Sequence, residues 1–286
     1  MAELSTPVAL PPRDRTAAPP VPRAAARERH LGWALRLWVA AVGFLLVAPT
    51  LVVLPMSFGS GSTFEFPPTG WSVRWYAEFF TSRQWLASLA NSLQVALLAA
   101  VLATVVGTAA AFGLDRSRFR GRGAVRQLLM APMILPGIVV AIAVYGVFLR
   151  WQLNGTLLGF VLAHAVLGVP FVITSVHTSL ANYDATVEKA AASLGAGRVT
   201  TARRVILPLV GPGVVSGFVF AFATSFDEVV IALFLQTPDI KTLPVAMYES
   251  IVLEIDPTIA AASSVIVVLT TALLLIPQIA RRRRPR

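Results

Sequence analysis

Asn182-Tyr183-Asp184-Ala185-Thr186-Val187-Glu188-Lys189-Ala190-Ala191-Ala192-Ser193-Leu194-Gly195-Ala196-Gly197-Arg198, followed later by Val205-Ile206-Leu207-Pro208, forms a polar interlude between two long apolar stretches. Asp184 reads as a helix N-cap, because a short carboxylate accepts the free N–H groups of a first turn. The residues after it favour helix, and Gly195 and Gly197 supply a stop and a turn. A second short helix then runs to Pro208. A simple helix–helix connection takes roughly two to eight residues, and the interval 182–208 is several times longer. It also carries small side chains at Ala190, Ala191 and Ala192. Small residues let another backbone approach closely, so the first helix suits a groove in a partner protein.

The chain around this interlude is strongly apolar. Of its 286 residues 56% are hydrophobic and 13% charged, and the mean hydropathy is +0.72. A soluble domain carries roughly 25% charged residues. A soluble enzyme is therefore excluded, as is a disordered chain, which needs low hydrophobicity. The absence of cysteine excludes disulfide scaffolds, thiolate zinc sites and cysteine nucleophiles together. A transmembrane helix needs about 20 mostly apolar residues. Six stretches meet that test: Ala34–Met56, Leu89–Leu114, Leu128–Leu149, Gly155–Thr178, Leu209–Leu235 and Thr258–Ile279. None alternates like a barrel strand, so the spans are helices. The predicted fold is an all-α polytopic membrane protein with six transmembrane helices.

The charges orient it. Of the 24 Lys and Arg residues, 20 fall in the N-terminal region, the loops after the second and fourth spans, and the C-terminal end. Arg74, Arg83, Arg150 and Lys241 alone fall on the other side. The positive-inside rule makes both termini and the two basic loops cytoplasmic. Charges that punctuate the ends of apolar helices meet lipid headgroups. A nucleic-acid binder instead gathers its bases on one folded face, so no nucleic-acid partner is expected.

Residues 1–30, rich in Pro, Ala and Arg, are expected to be a disordered cytoplasmic tail, with the membrane domain spanning 31–286. On the outer side Trp71, Trp75 and Phe79 recur every four residues, which predicts a short helix lying along the membrane surface. That stripe suits interfacial anchoring or docking of an external partner. Pro132 and Pro136, four apart in the third span, predict a kink. His164 and His177 are thirteen residues apart, about 140° around one helix, so they do not share a face. No metal site and no catalytic arrangement is expected. Asp227 and Glu228 fall near the outer third of the fifth span. Ionisable groups at that depth usually face a cavity or a partner, unless the span ends early and leaves both in water.

The 181–208 loop resembles the EAA loop of binding-protein-dependent ABC transporter permeases: Glu-Ala-Ala, three residues, Gly, nine residues, Ile-x-Leu-Pro. Here Ala190-Ala191 stands three residues before Gly195, and nine residues separate Gly195 from Val205-Ile206-Leu207-Pro208. Lys189 occupies the motif's Glu position, with Glu188 one residue earlier. The resemblance covers roughly residues 85–280 and includes Asn91-Ser92-Leu93, Arg116–Arg122 and Ala131–Gly137. Ser225-Phe226-Asp227-Glu228 and Leu243–Tyr248 look most like the second permease subunit of spermidine/putrescine-type importers.

This resemblance implies a type I importer permease fold in a bacterial inner membrane, a non-catalytic subunit forming half of a solute pathway. It implies three partners: a cytoplasmic ABC ATPase dimer, a second permease subunit, and a periplasmic or extracellular solute-binding protein. It assigns ATPase coupling to Glu188, Lys189, Ala190, Ala191, Gly195, Leu207 and Pro208. If the solute is a polyamine, Asp227 and Glu228 are pathway residues that offset the desolvation of an ammonium group. ATP and Mg would be bound by the partner ATPases, with no cofactor in this chain. Consistently, neither of its two lysines, Lys189 and Lys241, follows the Gly-rich stretch of a P-loop. Importers of other small organic solutes share these motifs. The rival class, a carrier driven by an ion gradient, often shows inverted repeats and has no need of a long helical loop.

The topology is testable with single cysteines placed at Ser62 and Ser117 of this cysteine-free chain. A membrane-impermeant thiol reagent is expected to label the first in intact cells and the second only after the membrane is opened. Labelling of the Ser117 position in intact cells overturns the orientation.

Overall fold

The computed structural model describes residues 24–117, 119–184, 186–253 and 256–282. These form two compact units, one ending at Pro49 and the other beginning at Thr50. The first holds most of α1 (Ala24–Met56), whose segment Gly32–Met56 is long and apolar enough to cross a bilayer. This helix starts inside the stretch read as a disordered tail, of which residues 1–23 lie outside the described residues.

The second unit continues with α2 (Arg74–Thr81), α3 (Arg83–Arg116), α4 (Arg122–Ile134), α5 (Gly137–Trp151) and α6 (Leu157–Ala181). The polar interlude follows as α7 (Thr186–Ser193) and α8 (Arg198–Thr201), which runs through a π turn at Ala202–Ile206 into α9 (Leu207–Phe226). The last elements are α10 (Val230–Leu235), α11 (Leu243–Leu253) and α12 (Thr258–Arg282). Among the described residues there is no strand, only an isolated bridge between Gly59 and Trp71.

The core is a bundle of α3, α6 and α9, each packed on the other two. Lipid is as apolar as leucine, so helices in a membrane associate through close packing, which favours small residues. The inner face of α3 follows that rule with Ala96, Ala99, Ala100, Ala103, Gly107 and Ala111, all buried. The backbones approach so closely that a Cβ added at Gly217 of α9 would stand 2.9 Å from Val172 Cα on α6. A second cluster joins α5 and α10 to the N-terminal half of α6 through Ala141, Phe148, Phe160, Ala163, Ile231 and Leu235. A third gathers Phe79, Trp85, Leu243, Ala246, Ile259 and Ala262 from α2, α3, α11 and α12.

Three sequence expectations change. The third apolar stretch is broken, not kinked: α4 and α5 meet at 107°. Proline disfavours the helical region for the residue before it, and Leu135 takes φ −75° and ψ 141° before Pro136. Pro132 sits within α4 without ending it. The fifth stretch also divides, since α9 stops at Phe226 and α10 starts at Val230. The aromatic stripe does not form one outward face. Trp71 precedes α2, the Arg74 guanidinium lies 4.1 Å from the centroid of the Trp75 ring, and Phe79 is fully buried in the third cluster. Its cover comes from α11 and α12, distant in sequence and invisible to local periodicity.

Among the described residues, four helices are long and apolar enough to cross a bilayer: Gly32–Met56, Arg83–Arg116, Leu157–Ala181 and the continuous run Val199–Phe226. The bent pair α4–α5 meets it only when taken together. The sixth predicted stretch coincides with α12, whose apolar segment Thr258–Leu273 is counted among the shorter apolar helices.

The π turn has a local cause. Pro208 has no N–H, and its ring crowds the carbonyl four residues back. Widening the turn just before it relieves that crowding, and the Leu207 N–H bonds to the Ala202 carbonyl instead.

Gly217→Ala forces a methyl against the Val172 backbone, and overpacking costs about 1–3 kcal/mol. A lowered melting temperature of the detergent-purified protein, with Gly211→Ala (open space around its Cβ) as the control, is the expected result.

Candidate functional site

The candidate functional residues lie toward the two ends of α9. At its N-terminal end stands the helical interlude. Asp184 caps it as the sequence suggests: its Oδ1 accepts the Thr186 N–H at 2.9 Å and its carbonyl accepts the Val187 N–H at 3.2 Å. The backbone N–H and the side chain of Thr186 hold the Asp184 carboxyl below the ordinary carboxylate range.

The far end of α7 is closed by the Ala196 N–H to the Ala191 carbonyl and the Gly195 N–H to the Ala192 carbonyl, both 3.0 Å. This is a Schellman cap. It needs a left-handed residue, which Gly195 supplies at φ +81°.

The faces of α7 then separate. Glu188 turns inward and pairs with Arg116 at the end of α3. Ala191 is half-buried, while Lys189 and Ala190 are exposed. Val187, Ala190 and Leu194 share one side at helical spacing and are all exposed, Leu194 to 87%. Val199 adds to this apolar surface at 71% exposure. Leu207 and Pro208 are exposed at the start of α9, whereas Ile206 is fully buried in the core bundle. Sequence reasoning did not single out the exposed Leu194, although its i, i+4 relation to Ala190 was legible. It also missed Arg116, whose partner is 72 positions away.

Asp227 and Glu228 lie at the other end of α9, about 30 Å along a helix of that length. They occupy the break before α10. Asp227 is exposed. Glu228 caps α10: its two carboxylate oxygens accept the Ile231 and Ala232 N–H groups, each at 2.9 Å. Its side chain is 10% exposed.

Beside it lies His164 of α6, fully buried, with Nδ1 donating to the Ser225 carbonyl at 3.1 Å and lying 2.9 Å from the Ser225 hydroxyl. His164 and His177 stay apart, as their spacing predicts, and His177 faces Asp115 at 4.0 Å. No cluster that could hold a metal ion occurs among the described residues.

Two further bonds fix the segment after α10 onto α3. Asn91 Nδ2 donates to the Lys241 carbonyl at 3.1 Å, and Ser92 Oγ accepts the Leu243 N–H at 2.7 Å. At the α7 end, a cavity of about 220 Å³ opens between α3, α4 and α6, with Arg122, Arg126 and His177 in its wall.

Residues 103–285 match the sequence model of the binding-protein-dependent transport system inner membrane component family. The chain belongs to this family. It is 33% identical over 227 residues to the spermidine/putrescine transport system permease protein PotC of Escherichia coli K12, covering 78% of this chain and 84% of that one. It is 31% identical over 234 residues to the putrescine transport system permease protein PotI of the same strain, covering 79% and 83%. A bacterial alginate ABC transporter, solved with an alginate pentasaccharide-bound periplasmic protein, matches the fold with a TM-score of 0.68. That match covers 89% of this chain and 96% of the other at 16% identity. The chain is thus an ABC importer permease subunit with an all-helical permease fold.

The Arg116–Glu188 pair is partly exposed, and such pairs contribute only about 0–1 kcal/mol. Arg116→Ala is therefore expected to leave the melting temperature nearly unchanged while hydrogen exchange across Thr186–Ser193 accelerates. Unchanged exchange there would mean that α3 does not hold α7.

Proposed function

We propose that this permease imports polyamines of the spermidine/putrescine class, driven by ATP that partner chains hydrolyse. The reading rests on one observation: α9 carries an exposed, capped helical platform at one end and an exposed carboxylate at the other. In this proposal a cytoplasmic ABC ATPase dimer, which binds the ATP and Mg, grips α7. Val187, Ala190 and Leu194 form the contact, Lys189 flanks it, and Ala191 and Gly195 shape it. Glu188 tethers the platform to α3 through Arg116. Motion of α7 passes through the π turn and Leu207-Pro208 into α9, and so to the Asp227 break.

The pathway would be completed by a second permease subunit, and an external solute-binding protein would deliver the solute. The membrane domain is residues 31–286, multi-pass in a bacterial inner membrane with both termini cytoplasmic. The chain itself carries no catalytic step. Residues 1–30 would be the cytoplasmic tail, its last part already within α1.

The chemistry favours a cation. Asp227 is an exposed carboxylate next to a second one, and stripping water from an ammonium group is costly unless an opposite charge replaces it. Glu228, engaged with α10, adds negative potential without leaving its cap. Likeness to PotC and PotI supports the polyamine class.

The test is radiolabelled spermidine uptake by the full complex in proteoliposomes. Asp227→Asn is expected to raise the apparent KM about tenfold, the scale of one lost charge-assisted contact. Unchanged uptake and KM overturn the pathway role, and transport by this chain without an ATPase overturns the importer reading.

A further inference from the structure

The break between α9 and α10 also marks the boundary between two packing clusters. Below it, α9 belongs to the core bundle with Phe222 and Phe226. Above it, α10 packs through Ile231, Ala232 and Leu235 into the cluster shared with α5. Two helices, α3 and α6, contribute to both. On α6, Phe160 and Ala163 belong to the upper cluster, and Ala165 and Val172 to the lower. His164 lies between them and contacts both sides of the break. Its Nδ1 holds Ser225, in the last turn of α9. Its Nε2 points toward Glu228 Oε2 at 3.8 Å, and this buried atom has no hydrogen-bond partner among the described residues.

A buried polar atom without a partner is costly and rare in native structures. The ring cannot shed that cost by rotating, because Nδ1 is already committed to Ser225. With Nδ1–H donated to a carbonyl, a neutral imidazole presents its lone pair at Nε2. A carboxylate oxygen offers no hydrogen to that lone pair, so the two stand just beyond bonding distance. The histidine is thus rigidly fixed on the α9 side and only loosely engaged on the α10 side.

We propose that His164 is the positioning residue of the solute pathway: it anchors α9 through Ser225 and abuts Glu228, and so fixes where the intervening Asp227 carboxylate stands. The proposal rests on the reading of Asp227 as a pathway residue. His164 itself touches no solute. It acts because α6, which contributes to both clusters, transmits its position to the two halves of the broken span. A hydrophobic side chain of similar size fills the space and loses both contacts. An asparagine keeps a donor near Ser225 and loses the group facing Glu228.

Two readouts separate this inference from the pathway reading. In proteoliposomes holding the whole importer, His164→Phe is expected to raise the apparent KM for spermidine about tenfold with a smaller change in kcat, and His164→Asn to fall between it and the parent. The His164→Phe, Asp227→Asn double variant is expected to be no worse than Asp227→Asn alone, because both act through one carboxylate.

Independently of solute, the chain has no cysteine, so Asp227→Cys reports position by its labelling rate with a water-soluble thiol reagent. Adding His164→Phe or His164→Asn is expected to change that rate several-fold. If Asp227→Asn raises KM while neither histidine variant alters KM or labelling, the positioning role is overturned and the pathway reading stands. If labelling shifts while Asp227→Asn leaves KM unchanged, the positioning role stands and the pathway reading falls. Should His164→Phe fail to assemble, the asparagine variant carries both measurements.

Discussion

A backbone N–H or carbonyl inside a bilayer has no water to bond, so every interruption of a helix must be satisfied within the protein. This constraint accounts for several of the polar contacts at the helix ends in the apolar part of the chain. Glu228 accepts two N–H groups where α10 begins. Ser92 accepts the Leu243 N–H where α11 begins. The Leu207 N–H bonds to Ala202 where Pro208 perturbs α9. Glu228 looks like a candidate binding group in the sequence, yet both of its carboxylate oxygens are committed to the main chain. Asp227 stands out because it is exposed at such a break with no capping duty in the observed bonds.

The same constraint sets what can move. The bundle of α3, α6 and α9 is welded by glycine and alanine contacts with little free volume, so it transmits displacement better than it deforms. The breaks at Leu135-Pro136 and Asp227–Val229 are where the backbone leaves helical geometry. In the proposed coupling, a push on α7 would reach the far end of α9 as a near-rigid shift, absorbed at the angle between α9 and α10.

The helical class and the positions of the apolar stretches were legible because hydropathy and helix-cap chemistry are local. Asp184, Gly195 and Pro208 each act within a few residues of themselves, and the structure places them as their chemistry demands. The failures are non-local. Whether Pro136 kinks or breaks its span depends on where α5 can pack, and α5 finds α10, almost ninety positions onward. Phe79 is buried by residues of α11 and α12. His164 carried no sequence signal beyond being a histidine in an apolar run, and its significance comes from Ser225 and Glu228, 61 and 64 positions later.

The π turn at Ala202–Ile206 has a geometric corollary. Each residue of a regular helix advances the chain by about 100° around the axis. One extra residue accommodated in that turn therefore sets the compass bearing of α7 around α9, independently of how far apart they lie. Shortening the segment by a residue would preserve every element and both ends of the machine. The platform would nonetheless face a direction rotated by about a quarter of a circle, presenting its apolar stripe where no partner waits. Pro208, which makes the wide turn favourable, thus acts as an indexing pin for the whole α7–α8 surface.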